Sequence, residues 1–240
     1  MKIDAQGLSF QELNRQVKQS ADRKIKIQNC CGQRYIASGL ADKELSIVGV
    51  PGNALGAYLD GTDIYVQGNV QDATGDTMNA GNIYDNGMAG DATGYAMRGG
   101  SIFIHGDTGY RTGIHMKEYQ EKKPLIVVGG AAGSFLGEYQ AGGTIIVLGL
   151  QSDGQAPVGN FCGMGMHGGK IYLRGDSLPA DLSDRLLHRV AGLEDLQEIE
   201  PVLKQFCELF HESMQTILEK PFYIITPNSK NPYKQLYTTN

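Results

Sequence analysis

The chain has 240 residues, 33 of them glycine, a formal net charge of -5 at pH 7 and 41% hydrophobic residues. That length fits one large domain or one domain with an appendage, and the apolar content is enough for a continuous core. The mildly acidic balance, without a basic block, argues against nucleic acid as the main partner, and no run approaches the roughly 18 apolar residues that span a bilayer.

The N-terminal stretch MKIDAQGLSFQELNRQVKQSADRK is polar and holds no apolar signal-peptide segment, which points to the cytoplasm. Ser9 and Glu12 have the spacing of a capping box that opens a helix of about ten residues. KIKIQ (24–28) and RYIASGL (34–40) read as strands. Together these elements form an expected N-terminal cap over residues 1–40. Cys30, Cys31, Cys162 and Cys207 contain no C-x-x-C pair, so reduced thiols are expected rather than a disulfide, zinc or iron–sulfur site.

From residue 41 the glycines become periodic. Gly49, Gly68, Gly87, Gly106, Gly130, Gly149 and Gly175 are separated by 19, 19, 19, 24, 19 and 26 residues. The two long steps hold polar insertions, IHMKEYQEKKP (114–124) and LQSDGQA (150–156). Seven residues after these glycines come Gly56, Gly75, Gly94, Gly113 and Gly137, with Gly163 in step once the second insertion is allowed for. A fixed period near 20 residues signals stacked units.

The positions between the glycines sort into columns. Leu45, Ile64, Ile83, Ile102, Ile126, Ile145 and Ile171 form one, and Ile47, Val66, Asp85, Ile104, Val128, Val147 and Leu173 another. Their period-2 spacing and β-branched bias put both on the buried face of a short strand. Ser46, Tyr65, Tyr84, Phe103, Val127, Ile146 and Tyr172 must face the other way. Glycines at positive φ would make the corners. The expected fold is therefore an all-β solenoid, a right-handed parallel β-helix of about seven coils over residues 41–176. The right-handed form is taken because the glycine spacing within a coil is unequal.

After Gly175 the glycines thin out, and residues 177–240 read as C-terminal helices and a tail. Pro201 fits a first helical turn, followed by a stripe of Val202, Leu203, Phe206, Leu209 and Phe210. The tail FYIITPNSKNPYKQLYTTN (222–240) is expected to fold back on the body.

Chemistry is sparse in this pattern. The glycines are followed by strands, where a dinucleotide fingerprint needs a helix. His105 and Arg174 share a column that reads as a surface ladder, His167 shares one with Arg98, and His115 opens the first insertion. No ligand spacing links them, and Arg98, Arg111 and Arg174 fall in different columns. Asp85 interrupts an aliphatic column. Either it is buried with a partner or the strand bulges to expose it, and the Asn86-Gly87 turn favours the bulge. No catalytic, cofactor-binding or metal-binding residue is assigned. The aromatic column Tyr65, Tyr84, Phe103 and Tyr172 is a candidate docking strip, unless a terminal segment covers it.

The recurring G-x-x-G...G...GG-x-I-x-I-x-G pattern, with GGTIIVLG (142–149) and MGMHGGKIYLRG (164–175), resembles the GXGXG domain. This is the C-terminal β-helix of the glutamate synthase large subunit, and a related domain forms the β-helix component of formylmethanofuran dehydrogenase. The tail resembles endings of stand-alone, archaeal-type glutamate synthase β-helix proteins. The resemblance implies a non-catalytic scaffold that organises a glutamine amidotransferase and a central synthase protein with FMN and an iron–sulfur cluster, in glutamate formation from glutamine and 2-oxoglutarate. It implies no cofactor on this chain and leaves a homo-oligomer possible. Two alternatives stay open: the corresponding β-helix component of a formylmethanofuran dehydrogenase-type complex, and a free-standing carbohydrate-active β-helix enzyme.

Overall fold

The 19-residue columns become strand register. A computed structural model describes residues 1–152 and 154–228. In chain order the elements are β1 (Lys2–Asp4), α1 (Phe10–Gln19), β2 (Lys24–Cys31), β3 (Glu44–Val50), β4 (Asp60–Gln67), β5 (Ala80–Asp85) and β6 (Ser101–Ile104). They continue with β7 (Leu125–Val128), β8 (Ala141–Val147), β9 (Gly168–Arg174), β10 (Leu186–Val190), α2 (Leu193–Phe210), α3 (Met214–Leu218) and β11 (Phe222–Pro227). From β3 to β9 the first apolar column pairs without a break, Leu45 with Ile64, then Ile83, Ile102, Ile126, Ile145 and Ile171. The column extends one strand further back than the glycines indicate, because Ile25 of β2 pairs with Leu45.

The expectation of a right-handed parallel β-helix of about seven coils is corrected by the sheet topology. The described residues form one mixed sheet of eleven strands in the order β1-β2-β3-β4-β5-β6-β7-β8-β9-β11-β10. It is an open, mostly parallel sheet accompanied by three helices, and β11 runs antiparallel to both of its neighbours, β9 and β10. The physical reason lies in the connections. Segments such as 53–58, 72–77 and 91–96 are tight turns, and the connections meet through single bridges (Val70 to Ala89, Ala89 to Thr108, Thr108 to Ala132, and Ala132 to Val158) instead of forming a second sheet.

Two glycines show what holds those turns. Gly113 has φ +71°, and a Cβ there would lie 2.5 Å from Ile145 Cδ1, so both backbone and space demand glycine. Gly87 has no positive φ, and its demand is close approach, since a Cβ would strike the carbonyl oxygen of Gly68 one rung away.

The sheet has a core on each face. On one side Leu45, Ile64, Met78, Ile83, Met97, Ile102, Met116, Ile126 and their neighbours pack between the strands and the turns. On the other, Phe103, Val127, Ile146 and Tyr172 pack against Ile199, Leu203, Phe206 and Phe210 of α2. That stripe matches the sequence reading, but the helix starts earlier than Pro201 implies. Its N-cap is Gly192, whose N–H donates to the Asp195 carboxylate, and Pro201 lies inside the helix. Pro201 is tolerated because it faces solvent, where water can serve the carbonyl its missing N–H leaves unpaired.

At the N-terminus the capping reading of Ser9 holds, its Oγ accepting from the Glu12 N–H at 3.2 Å. Residues 34–40 form a turn instead of a strand, with Tyr35, Ala37 and Gly39 at positive φ. The first six residues of the tail segment form β11, and residues 229–240 lie outside the described residues.

Candidate interaction surfaces

The aromatic column is the first candidate, and most of it is covered. Phe103 and Tyr172 are fully buried under α2, while Tyr84 stacks between Tyr65 at 4.8 Å and Phe103 at 5.7 Å. The amide of Gln205 reaches the Tyr84 hydroxyl at 3.4 Å, and burial there pushes that hydroxyl up to about 12. Tyr65 stays 38% exposed because α2 stops short of it.

The same cover explains two residues expected in a surface ladder. His105 stacks flat on Phe210, with ring centroids 4.9 Å apart and planes 9° apart, and its Nε2 meets Glu212 Oε1 at 2.8 Å. Arg174 is buried and donates to three backbone carbonyls, from Nε to Ile217 at 2.7 Å, Nη1 to Leu148 at 3.0 Å and Nη2 to Thr216 at 2.7 Å. Both pin the C-terminal helices to the sheet. A helix that returns from residues 193–218 leaves no trace in the local pattern around 105 or 174.

Asp85 is not bulged out, contrary to the sequence reading. It pairs in register between Val66 and Ile104 and has no solvent exposure. Its Oδ1 accepts from the Gly87 N–H at 3.2 Å, while Oδ2 has no partner, so desolvation lifts the carboxyl to about 8, the Gly87 bond opposing it. The turn at Asn86-Gly87 comes one residue too late to break the pairing. Thr108 Oγ1 and Gln140 Oε1 are the other buried side-chain oxygens without partners among the described residues.

The surface that the columns do not announce lies along the turns of the later rungs. His115 stacks on Tyr139 at 5.2 Å and 11°, and Tyr95 meets the His115 ring edge-on at 6.0 Å. Alongside, Phe135 stacks on Phe161 at 4.9 Å, and the Arg111 guanidinium lies 5.1 Å from the Phe135 centroid. Arg111 also binds Glu138 at 3.0 Å. Arg111, His115, Phe135, Tyr139 and Phe161 all adopt φ between +52° and +63°. Tyr95, Tyr139 and Phe161 are 41%, 38% and 43% exposed. A signal is present in the sequence: the earlier rungs carry Ala54, Ala73 and Ala92 where these carry Arg111, Phe135 and Phe161.

The flank thus brings together two stacked ring pairs and the Arg111–Glu138 ion pair. His167, the other histidine of the repeats, has its Nδ1 3.3 Å from the Gly165 carbonyl. Among the described residues no three metal-capable side chains converge, and no helix is long and apolar enough to cross a membrane. The four cysteines are unpaired, with burial raising Cys30 to about 11 and Cys162 to about 12. A cleft of about 780 Å³ lies between the 163–166 turn and the 183–186 segment beside Tyr139.

Comparison with known proteins agrees with this architecture. The uncharacterized protein MJ1350 of Methanocaldococcus jannaschii is 44% identical over 249 residues, a span of 98% of this chain and 95% of that protein. The X-ray structure of the formyltransferase/hydrolase complex from Methylorubrum extorquens, in complex with methylofuran, contains a chain with a TM-score of 0.64 at 18% identity. The match covers 92% of this chain and 89% of that one, and at such identity it is a likeness of fold. The GXGXG motif family matches residues 10–227, nearly the whole described body, and the chain belongs to that family.

Proposed function

We propose that this chain is a non-catalytic structural component of a multi-protein one-carbon complex of the formyltransferase/hydrolase or formylmethanofuran dehydrogenase type. The observation that carries the reading is the end-to-end fold match, 92% of this chain on 89% of a chain from such a complex. What the two share is a whole body and not an embedded motif. In this reading the chain binds no cofactor, the formyl or redox chemistry sits on its partners, and the flank from Tyr95 to Phe161 is what a neighbouring protein grips. Exposed aromatics and arginine are the residues that interfaces favour. The complex is cytoplasmic in this reading, in keeping with four unpaired thiols.

The test is affinity capture of the tagged full chain from its native cell, with identification of the bound proteins. Recovery of a formyltransferase, a hydrolase or a pterin-dependent dehydrogenase is the expected result. Recovery of an FMN and iron–sulfur protein together with a glutamine amidotransferase would move the assignment to the glutamate synthase type. The GXGXG match over residues 10–227 is common ground to both readings and favours neither. Flavin absorbance in the purified chain, or hydrolysis of a polyuronide by it, would overturn the scaffold role.

A further inference from the structure

The two ends of the sheet are finished differently. At one end β1 has three residues, Lys2 and Asp4 are exposed, and the N-terminal ammonium is tied to the Lys24 carbonyl. Short, charged strands are a common guard on a sheet edge. At the other end β10 has five residues, and it carries neither proline nor bulge. Leu187 and Val190 are 53% and 56% exposed, and Leu193 just beyond is 82% exposed. Among the described residues nothing pairs with the outer edge of β10.

The hydrogen bonds of that edge can be counted. Ala191 N–H donates to the Phe222 carbonyl and Asn228 N–H to the Arg185 carbonyl, so residues 185, 187, 189 and 191 face β11. Leu186, His188 and Val190 therefore turn their backbone groups outward. Two of those groups are already used: Leu186 N–H donates to the Ser183 carbonyl, and the Val190 carbonyl accepts from Arg189 Nη1. Among the described residues, what remains is the N–H of His188 and Val190 and the C=O of Leu186 and His188.

We propose that β10 is a homodimer interface, pairing antiparallel with β10 of a second copy about a twofold axis at His188. The remaining groups are self-complementary and leave no remainder. His188 N–H donates to the His188 carbonyl of the second copy, and Val190 N–H donates to its Leu186 carbonyl. With their symmetry mates these make four bonds, and no existing bond is displaced. Leu186 then faces Val190 across the axis, and Leu187 faces Arg189. The like-charged arginines are kept from meeting, and each stays paired with its own Asp195. An extended segment of a different protein would need no such symmetry, which is why a second copy is the occupant. Dimerisation through β10 is independent of the scaffold reading.

Sedimentation of the full chain between 1 and 100 µM tests it, with about twice the 26.0 kDa chain mass expected at the upper concentration. His188→Pro removes an outward N–H that β11 does not use. It is expected to weaken dimerisation on the order of 100-fold while leaving the circular dichroism spectrum unchanged. As an independent arm, His188→Cys in a Cys31→Ser background should form an interchain disulfide under mild oxidation. A hydrogen-bonded antiparallel pair holds its Cα atoms about 5.5 Å apart, within disulfide reach. A monomeric wild type, a dimer untouched by His188→Pro, or no crosslink at position 188 would each overturn the proposal.

Discussion

Replacing Asp85 with asparagine tests the reading of the sheet's inner face. The carboxyl sits in register between Val66 and Ile104 with one oxygen unpartnered, and its pKa is raised from 3.8 to about 8. In the folded chain it keeps its proton up to about pH 8, whereas the unfolded chain releases it above about pH 4. Over that window the native state binds the extra proton, so stability falls as pH rises, by about 1.4 kcal/mol per pH unit. Between pH 4 and pH 7 the loss amounts to about 4 kcal/mol. Asparagine keeps the shape and an oxygen for the Gly87 N–H but cannot ionise. The stability of Asp85→Asn minus that of wild type should therefore be small near pH 4 and grow through pH 7, flattening above pH 8. Urea titrations at each pH measure that difference, and every other titrating group cancels from it. A difference that stays constant within about 0.5 kcal/mol from pH 4 to pH 8 would refute the burial argument.

The remaining predictions concern the turns, the helical cover and the flank. Gly113→Ala should cost about 2–4 kcal/mol, combining left-handed strain with the clash on Ile145, read as a drop in the unfolding midpoint. Arg174→Met should cost about 3 kcal/mol by removing the buried guanidinium donors from the carbonyls of Ile217 and Leu148. Its signature should be faster hydrogen exchange over residues 213–218 than over β3–β6, because the lost bonds are those to Thr216, Ile217 and Leu148. His115→Ala and Tyr139→Ala should change stability by less than about 1 kcal/mol yet reduce capture of the partner protein about tenfold or more. Unaltered capture by both variants would remove this flank from the proposed interface.

What the sequence discloses is what each rung states about itself. Ile64, Ile83, Ile102 and Ile126 sit 19, 19 and 24 residues apart, and they pair as those intervals require. Closure of the chain is not legible in the same way. Period alone is equally compatible with one continuous sheet or several, and the difference depends on whether the turn segments pair over several residues or touch at single bridges. His105 and Arg174 escape sequence reasoning for a related cause: their surroundings are set by the C-terminal helical segment, with Glu212 107 residues beyond His105 and Ile217 43 residues beyond Arg174. At Asp85 the turn signal of Asn86-Gly87 competes with the register imposed by Val66 and Ile104, and the register wins.

The strain along the turns bears on why the flank matters. Every rung places non-glycine residues in the left-handed region there, at a cost of about 1–2 kcal/mol each relative to the right-handed region. In the earlier rungs the residue is alanine at 54, 73 and 92, the smallest side chain that can occupy the corner with a Cβ. In the later rungs the same corner carries Arg111, Phe135 and Phe161, and the neighbouring corner carries His115 and Tyr139. These rings add little to either core, since the two buried clusters close without them. Stability alone would be served better by glycine at all five positions. Large, rigid, exposed side chains held at strained corners are instead pre-ordered, so a partner that docks on them would lose little side-chain entropy. Glycine at 135 and 161 should therefore raise stability while weakening partner capture. If both stay unchanged, neither the strain nor the rings have any measurable consequence.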